Sequence, residues 1–123
     1  SEMCIRDRLS MVAARYGLQY MLENNVEAEV KRKEEIVRTY FNDNLQGDAV
    51  QIRGIGLIWG IQVADGKTAL AIANRCFEKG LIIERAGRDN DVVKLMPALT
   101  IPDDQLVKGL DILVSSVKEI CNL

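Results

Sequence analysis

Charged side chains gather near two short apolar segments in the second half of the chain. Lys94 lies inside one of them, Val92–Met96, directly before Pro97. A lysine flanked by core residues must extend its amine to a solvated edge or meet an anion, and the sequence alone favours the edge. Strand ends and loops are common positions for binding residues. The candidates are therefore Arg53, Glu84, Arg85, Arg88, Asp89, Asp91 and Lys94.

The residue types present exclude several chemistries. Histidine is absent, which removes Ser-His-Asp and Cys-His catalysis and imidazole metal sites. The three cysteines, Cys4, Cys76 and Cys121, are widely spaced without a C-x-x-C pair. This pattern argues against disulfides and a zinc knuckle, favours a reducing cytoplasm, and places Cys76 and Cys121 in the core. No catalytic, metal or cofactor-binding residue is predicted, and any chemistry must use carboxylates, lysines, arginines or a borrowed cofactor.

The glycine-rich run Ile52–Ile61 invites comparison with a phosphate-binding loop. A dinucleotide fingerprint needs G-x-G-x-x-G between a strand and a helix. Here Gly54 and Gly56 are followed by Gly60, one residue too late, and strand-type residues continue to Val63. The run predicts a strand or strand pair whose glycines allow a bulge or a close backbone approach. Trp59 is expected to pack in a core or interface rather than to stack on a ligand.

Length and charge set broad limits. A chain of 123 residues suits one domain, and a net charge of −2 gives no reason to expect nucleic acid or an anionic membrane as a partner. No apolar stretch approaches the roughly 20 residues that span a bilayer. Met3–Ser10 carries charges where a secretory signal would be apolar.

Apolar periodicity predicts the helices. Residues 9–45 form two helices joined near Asn24, where Asn24–Glu27 resembles a capping box and Glu27–Glu35 a solvated charged face. Lys67–Lys79 forms a third helix that ends at Gly80. The last helix starts at Thr100–Asp103 with a capping hydroxyl. The predicted inward residues are Leu70, Ala73, Cys76 and Phe77 in the third helix and Leu106, Leu110, Leu113, Val117 and Ile120 in the last.

The remaining segments complete a mixed fold. Leu81–Glu84 and Val92–Met96 are predicted strands, separated by a polar loop over Arg85–Asp91. The order α-α-β-α-β-β-α predicts an α/β fold with a small mixed or antiparallel sheet of three to four strands, covered by helices. Residues 1–8 have no clear period and are treated as a non-native leader, with residues 9–123 as a single domain.

Several segments resemble, in order, the C-terminal small domain of class III pyridoxal-phosphate aminotransferases, which belong to the fold-type I enzymes. Ile52–Ile61 resembles the family's V-R-G-x-G-L-M-x-G-I strand, and Gly80–Ile83 resembles G-L-L-I. Val92–Ile101 resembles V-I-R-L-x-P-P-L-T-I, and a terminal helix follows. Any one match is weak, but their common order favours the resemblance.

The resemblance implies a parent enzyme in which a lysine of the large domain holds pyridoxal phosphate. No lysine here lies in that lysine's motif, so this chain is expected to hold no cofactor and to be inactive alone, with the large domain as its partner in a homo-oligomer. The family usually has arginine at the position of Lys94, against a substrate carboxylate. The resemblance thus implies that Lys94 and Arg85 bind substrate. The Val-Val-Lys variant, with Gly87, is similar to the branch that makes 2,4-diaminobutyrate from glutamate and aspartate β-semialdehyde, including ectoine-pathway enzymes.

Other interpretations stay open at this point. The parent could be another class III transaminase, of the 4-aminobutyrate or ornithine type. The chain could instead be a free-standing binding or regulatory module with a small α/β sandwich, or an oligomerisation unit that uses the helix Val26–Leu45.

Overall fold

Helices pack on one face of a four-stranded antiparallel sheet. The computed structural model describes residues 2–123, with side chains from residue 7 onward. This architecture confirms the predicted fold class. The elements are α1 (Glu2–Glu23), α2 (Val26–Asn44), β1 (Gln51–Ile55), β2 (Ile58–Gln62), α3 (Gly66–Glu78), β3 (Glu84–Ala86), β4 (Val92–Leu95) and α4 (Asp103–Cys121).

The glycine-rich run forms a β-hairpin. β1 pairs with β2 from Gln51↔Gln62 to Ile55↔Ile58 without a bulge, and Gly56 in the two-residue turn has φ of 58°. A positive φ at the first central residue suits the turns that join twisted strands. A Cβ at Gly54 would lie 2.3 Å from Cδ2 of Trp59. The same Cβ would lie 2.6 Å from the Ile58 carbonyl oxygen, so the expected close backbone approach is present, together with an indole ring that was not expected there.

The sheet order β1-β2-β4-β3 places β4 inside the sheet, paired with β2 on one side and β3 on the other. Ile61 of β2 and Val93 of β4 are fully buried against the helices. Trp59 packs edge-on against Phe41 at 5.7 Å between ring centroids and lies under the Arg38 guanidinium at 5.3 Å, which fixes α2 over the hairpin. The helix-covered face is thus the core.

The helix α4 buries the stripe that its sequence predicts. Leu106, Leu110, Leu113 and Val117 are buried, and Ile120 is half-buried. The helix begins at Asp103 with Pro102 as N-cap and without a side-chain cap, so the predicted capping role of the Thr100 hydroxyl is wrong. The amide of Leu106 donates to the Pro102 carbonyl and closes the first turn through the backbone alone.

The joint between α1 and α2 also differs from the prediction. Asn25 has left-handed backbone angles, φ 48° and ψ 50°, and its side chain caps nothing. The amide of the Asn24 side chain instead donates back to the Tyr20 carbonyl at 2.9 Å. The predicted capping box is wrong, because Asn25, the N-cap of α2, has a left-handed backbone and its side chain accepts no amide of the first turn.

The third helix is rotated relative to the prediction. α3 begins at Gly66, and the Asp65 carboxylate accepts a hydrogen bond from the Thr68 amide at 2.8 Å. The buried residues of α3 are Ala69, Ile72 and Cys76, whereas Leu70 is 43% exposed and Phe77 is 68% exposed. The buried residues keep the three- and four-residue spacing of one helix face, and Leu70 and Phe77 lie outside that face.

The strand after α3 begins later in the chain than predicted. The Leu81 amide donates to the Cys76 carbonyl, so this residue still belongs to the helix end. β3 starts only at Glu84, where pairing with β4 begins, and it extends to Ala86 in the predicted loop. Leu81–Ile83 is therefore a connection.

The charged face of α2 is only partly solvated. Lys31 pairs with Glu27 and Arg38 with Glu34, as four-residue spacing predicts. Lys33, however, is 5% exposed, and its amine donates to the Leu99 carbonyl at 3.0 Å. Its place on a solvated face is a wrong prediction, because the chain before α4 covers this side of α2.

The helix α1 is exposed to solvent, in contrast to the buried core. Every side chain from residue 7 to residue 25 is exposed, including Leu9 at 67%, Tyr16 at 65% and Leu22 at 76%. Among the helices of residues 2–123, none is long and apolar enough to cross a membrane. The leader over residues 1–8 stays a prediction: residue 1 and the side chains of residues 2–6 lie outside the described part, and the backbone from Glu2 belongs to α1.

Two cysteines fall within the described side chains. Cys76 is fully buried and Cys121 is half-buried, and both are free thiols. Burial raises the pKa of each thiol, so both stay protonated at neutral pH. They act as small apolar groups, as predicted, while the side chain of Cys4 lies outside the described residues.

Candidate anion-binding face

The uncovered face of the sheet carries the main candidate residue, Lys94. Its amine contacts the Glu84 carboxylate at 2.7 Å across the β3–β4 pair, with side-chain exposures of 29% for the lysine and 71% for the glutamate. This hydrogen bond and the lysine charge hold the pKa of Glu84 below its usual value. Lys94 thus meets an anion on an interior strand, and the solvated edge favoured by the sequence is wrong.

Strand register places three candidate residues and Gly60 in one row. Arg53 pairs with Gly60, Gly60 pairs with Lys94, and Lys94 pairs with Glu84. Directly paired residues share a face of the sheet, and neighbours along a strand alternate between faces. Because Val93 and Leu95 are buried on the helix side, this row lies on the open side.

A hydrogen-bonded chain runs beside the row. The Arg53 guanidinium donates to Oε1 of Gln62 at 2.6 Å, and the Gln62 amide donates to Oδ2 of Asp91 at 3.0 Å. Within residues 7–123, no carboxylate forms an ion pair with Arg53. The guanidinium charge therefore meets a neutral amide directly and reaches Asp91 only through it.

The structure does not bring Arg85 to Lys94. Arg85 pairs with Val93 in the register, one residue out of step with the Glu84–Lys94 pair. Its guanidinium lies 3.4 Å from the Gly66 carbonyl at the start of α3, in a shallow recess with Asp89 and Asn90. The two predicted substrate-binding residues are consequently on different sides of the sheet. Arg88 and Asp89 lie in the exposed loop before β4.

Exposed apolar side chains border the charged row. Ile55 is 76% exposed and Ile58 is 57% exposed at the hairpin turn, while Ile82 is 82% exposed and Met96 is 56% exposed beyond the ends of β3 and β4. Lys94 lines the shallow recesses on both of its sides, one towards the hairpin and one towards residues 81–83. The arrangement places cations that can pair with a carboxylate next to exposed apolar side chains.

Sequence reasoning missed two members of this face. Gly60 and Gln62 carry no obvious chemistry in the sequence, yet they lie between Arg53, Lys94 and Asp91. The available signal was alternation: in a hairpin turning at Gly56, Arg53 must share a face with Gly60 and Gln62 with Gln51.

The model of the family described as Aminotransferase class-III matches residues 6–117. The chain belongs to this family. The predicted family is thereby confirmed. The similar curated proteins share one name within it. The diaminobutyrate–2-oxoglutarate transaminase of Halomonas elongata is 42% identical over 106 residues, covering 82% of this chain and 25% of the relative. The Bordetella bronchiseptica enzyme of the same name is 36% identical over 118 residues, covering 92% and 27%.

Solved structures agree on the fold. A Bacillus anthracis aminotransferase superposes with a TM-score of 0.76 at 22% identity, over 86% of this chain and 27% of the other. A lysine aminotransferase from M. tuberculosis gives a TM-score of 0.79 at 17% identity, over 89% and 26%. The chain thus spans about a quarter of the length of these class III relatives.

The residues described here do not fit the cofactor of the family, pyridoxal phosphate. The glycine run that could bind a phosphate forms the β1–β2 hairpin instead. Its glycines therefore do not lead directly into the N-terminus of a helix. Three lysines at buried or half-buried positions already have partners: Lys33 donates to the Leu99 carbonyl, Lys79 pairs with Glu119, and Lys94 pairs with Glu84. Within residues 7–123, no group of three potential metal ligands occurs either.

Proposed function

We propose that this chain is the C-terminal small domain of a diaminobutyrate–2-oxoglutarate transaminase, of the ectoine-pathway type. The parent enzyme would transfer an amino group from glutamate to aspartate β-semialdehyde with pyridoxal phosphate. Similarity to transaminases of that name, over most of this chain, supports the proposal. The observation that carries it is Lys94, a half-buried cation on the open face whose present partner is a carboxylate.

In this proposal, Lys94 binds a carboxylate of the substrate. A lysine offers one mobile point charge, whereas an arginine binds a carboxylate with two parallel hydrogen bonds. Lys94 therefore attracts the carboxylate without fixing its plane. Arg85, 3.4 Å from the Gly66 carbonyl on the other side of the sheet, is assigned no part in the same contact.

The exposed apolar surfaces support the proposed partner, the large domain of the parent. The helix α1 exposes Leu9, Met11 and Leu22 by two thirds or more, and the end of β1 and the connection before β3 expose Ile55 and Ile82 to a similar extent. Apolar surface of this extent is typical of interfaces. We propose that the rest of the parent chain, or a second subunit of a homo-oligomer, covers it. A cytoplasmic location remains part of the same proposal.

Kinetics of the full-length enzyme test the role of Lys94. We expect Lys94→Ala to raise the KM for glutamate by the equivalent of about 1.5–3 kcal/mol, the cost of losing a charged hydrogen bond. Lys94→Arg should recover most of the loss, and Arg85→Ala, the matched control, should leave the KM unchanged. An unchanged KM in Lys94→Ala would remove the proposed role.

Three further observations separate the alternatives. The isolated chain should show neither the absorbance of bound pyridoxal phosphate nor transamination, and detection of either would refute its assignment as a domain without the cofactor anchor. A panel of amino donors on the parent enzyme distinguishes the 4-aminobutyrate and ornithine types. A start codon directly before this chain, with no pyridoxal-binding domain upstream, would favour a free-standing module.

A further inference from the structure

We propose that Lys33 is a positioning residue. Its buried amine holds the turn that follows β4, and this turn holds Met96 and Pro97 as one wall of the recess beside Lys94. The inference rests on the proposed function only for the identity of the amino donor that enters the recess. It adds a residue of α2, which touches no substrate, to those that determine the affinity for the donor.

The burial of Lys33 is unusual for its residue type. The residue is 5% exposed, although lysine is rarely buried without a paired charge. Its amine donates to the Leu99 carbonyl at 3.0 Å, and within residues 7–123 it forms no ion pair with a carboxylate. A charged donor makes a stronger hydrogen bond than a neutral one. The charge of Lys33 is therefore used to bind the backbone of a distant segment.

That segment has few other contacts of its own. Residues 96–102 join β4 to α4 and belong to no helix or strand. The Ile101 amide donates to the Ala98 carbonyl at 3.0 Å and closes a turn that contains Leu99. Because the Leu99 side chain is 43% exposed, apolar packing contributes little at this point. Lys33 thus supplies the buried polar contact that fixes the turn.

A neighbouring residue of α2 holds the end of the same segment from the surface. The Arg32 guanidinium donates to both carboxylate oxygens of Asp103, at 2.7 Å and 2.9 Å. The two side chains are 46% and 49% exposed, and exposed ion pairs contribute little net free energy. Arg32 is therefore a natural comparison for Lys33, with a similar reach and a weaker hold.

The start of the segment borders the recess on the open face of the sheet. Met96 and Pro97 line this recess together with Lys94. Met96 follows Lys94 by two residues, which places both on the open side, and its side chain is 56% exposed. The turn at Leu99 begins only two residues after Met96. A shift of this turn would therefore move the wall of the recess.

Steady-state kinetics of the full-length holoenzyme test the role of Lys33. Lys33→Met keeps the length of the side chain and removes the amine. The KM for the amino donor should rise about 3- to 10-fold, the range for one lost hydrogen bond. The kcat should stay within about twofold, because the wall contacts the donor equally in the ground state and the transition state. Lys31→Met and Arg32→Met, the matched exposed changes on α2, should leave the KM within about twofold.

A double-mutant cycle separates positioning from a general loss of stability. Met96→Ala removes the side chain of the wall and should also raise the KM. Combined with Lys33→Met, it should raise the KM by less than the product of the two single effects, because the wall is already displaced. Ile58→Ala, on the hairpin side of Lys94, should instead combine with Lys33→Met as a simple product. Lower stability alone would not produce this difference.

Hydrogen exchange of the same holoenzyme, measured by mass spectrometry, reports on the turn without turnover. The peptide that contains the Ile101 amide should exchange faster in Lys33→Met than in Lys31→Met. Faster exchange with an unchanged KM would reveal a purely structural contact and overturn the proposal. Unchanged exchange, an unchanged KM in Met96→Ala, or a simple product of the Lys33 and Met96 effects would overturn it as well.

Failure of the proposed function gives a different result. The wild-type parent would then not accept glutamate, whereas the exchange of the turn would still depend on Lys33. The same cycle, measured with the amino donor that the wild type does accept, would still decide the role of Lys33.

Discussion

The two faces of the sheet are built from the same strands and have opposite properties. On the helix side, Ile61 and Val93 are fully buried. On the other side, Lys94 pairs with an exposed glutamate, and Ile58 remains 57% exposed. Adjacent residues of β4 thus have different surroundings: Val93 packs in the core, and Lys94 lies on the uncovered face in an ion pair with Glu84. Substitutions on the helix-covered face should therefore lower the free energy of unfolding, whereas substitutions on the open face should leave it nearly unchanged.

The largest expected effect lies under the helix-covered face. Leu110→Ala removes a fully buried side chain of α4 and should lower the free energy of unfolding by about 2–5 kcal/mol, because a cavity remains in the core. Urea denaturation measures this loss. Val107→Ala, at a position on the same helix that is 41% exposed, is the control and should cost much less. Equal losses at both positions would contradict the division between faces.

A smaller loss is expected where the hairpin meets the core. Gly54→Ala would place a Cβ 2.3 Å from Trp59 and 2.6 Å from the Ile58 carbonyl oxygen. Overpacking of this kind costs about 1–3 kcal/mol, measurable by the same denaturation. Gly17→Ala is the matched control: nothing lies within 4 Å of its added Cβ, and alanine favours a helix. Undiminished stability in Gly54→Ala would show that the indole has room to move.

Substitution on the open face should scarcely change stability. Ile58→Thr replaces an exposed apolar residue by another β-branched one, and the free energy of unfolding should stay within about 0.5 kcal/mol. Self-association of the isolated chain should decrease, as light scattering would report. A loss as large as that of Leu110→Ala would mean that this face is already packed in the isolated chain.

The smallest effect concerns the charge of Glu84. Its pKa is lowered by Lys94, so the pair stabilises the fold above the ordinary pKa of a glutamate and stops doing so as the pH falls through the lowered value. Lys94→Met should raise the pKa of Glu84 towards its ordinary value, and NMR titration of the carboxyl carbon detects this change. Lys31→Met, which removes the partner of Glu27, should leave Glu84 unaffected. An unchanged Glu84 pKa in Lys94→Met would show that the pair is not formed in solution.

Periodic apolar residues made much of the fold predictable. The stripe from Leu106 to Val117 identified the buried side of α4, and the glycine run indicated a strand or strand pair over Val50–Val63. Local capping was less predictable. Asn25 is the N-cap of α2 and is also left-handed, a conformation that asparagine tolerates, and its side chain caps nothing.

The candidate site was predictable in its residue types and not in its arrangement. Lys94 and Arg85 both follow from the sequence, but their separation depends on where β3 begins, and the strand started three residues later than predicted. That shift, together with register, decides which face each side chain occupies. Lys33 shows the same limit, because its burial depends on Leu99, 66 residues away in the chain.

The position of Trp59 gives the molecule a natural spectroscopic probe. It is the single tryptophan of the chain, and its ring lies between the hairpin and α2, against Phe41 and Arg38. Its emission will respond when α2 docks on the hairpin. The helix α1, whose described side chains are all exposed, can unwind without altering that signal, so far-ultraviolet circular dichroism and tryptophan fluorescence should report two separate transitions.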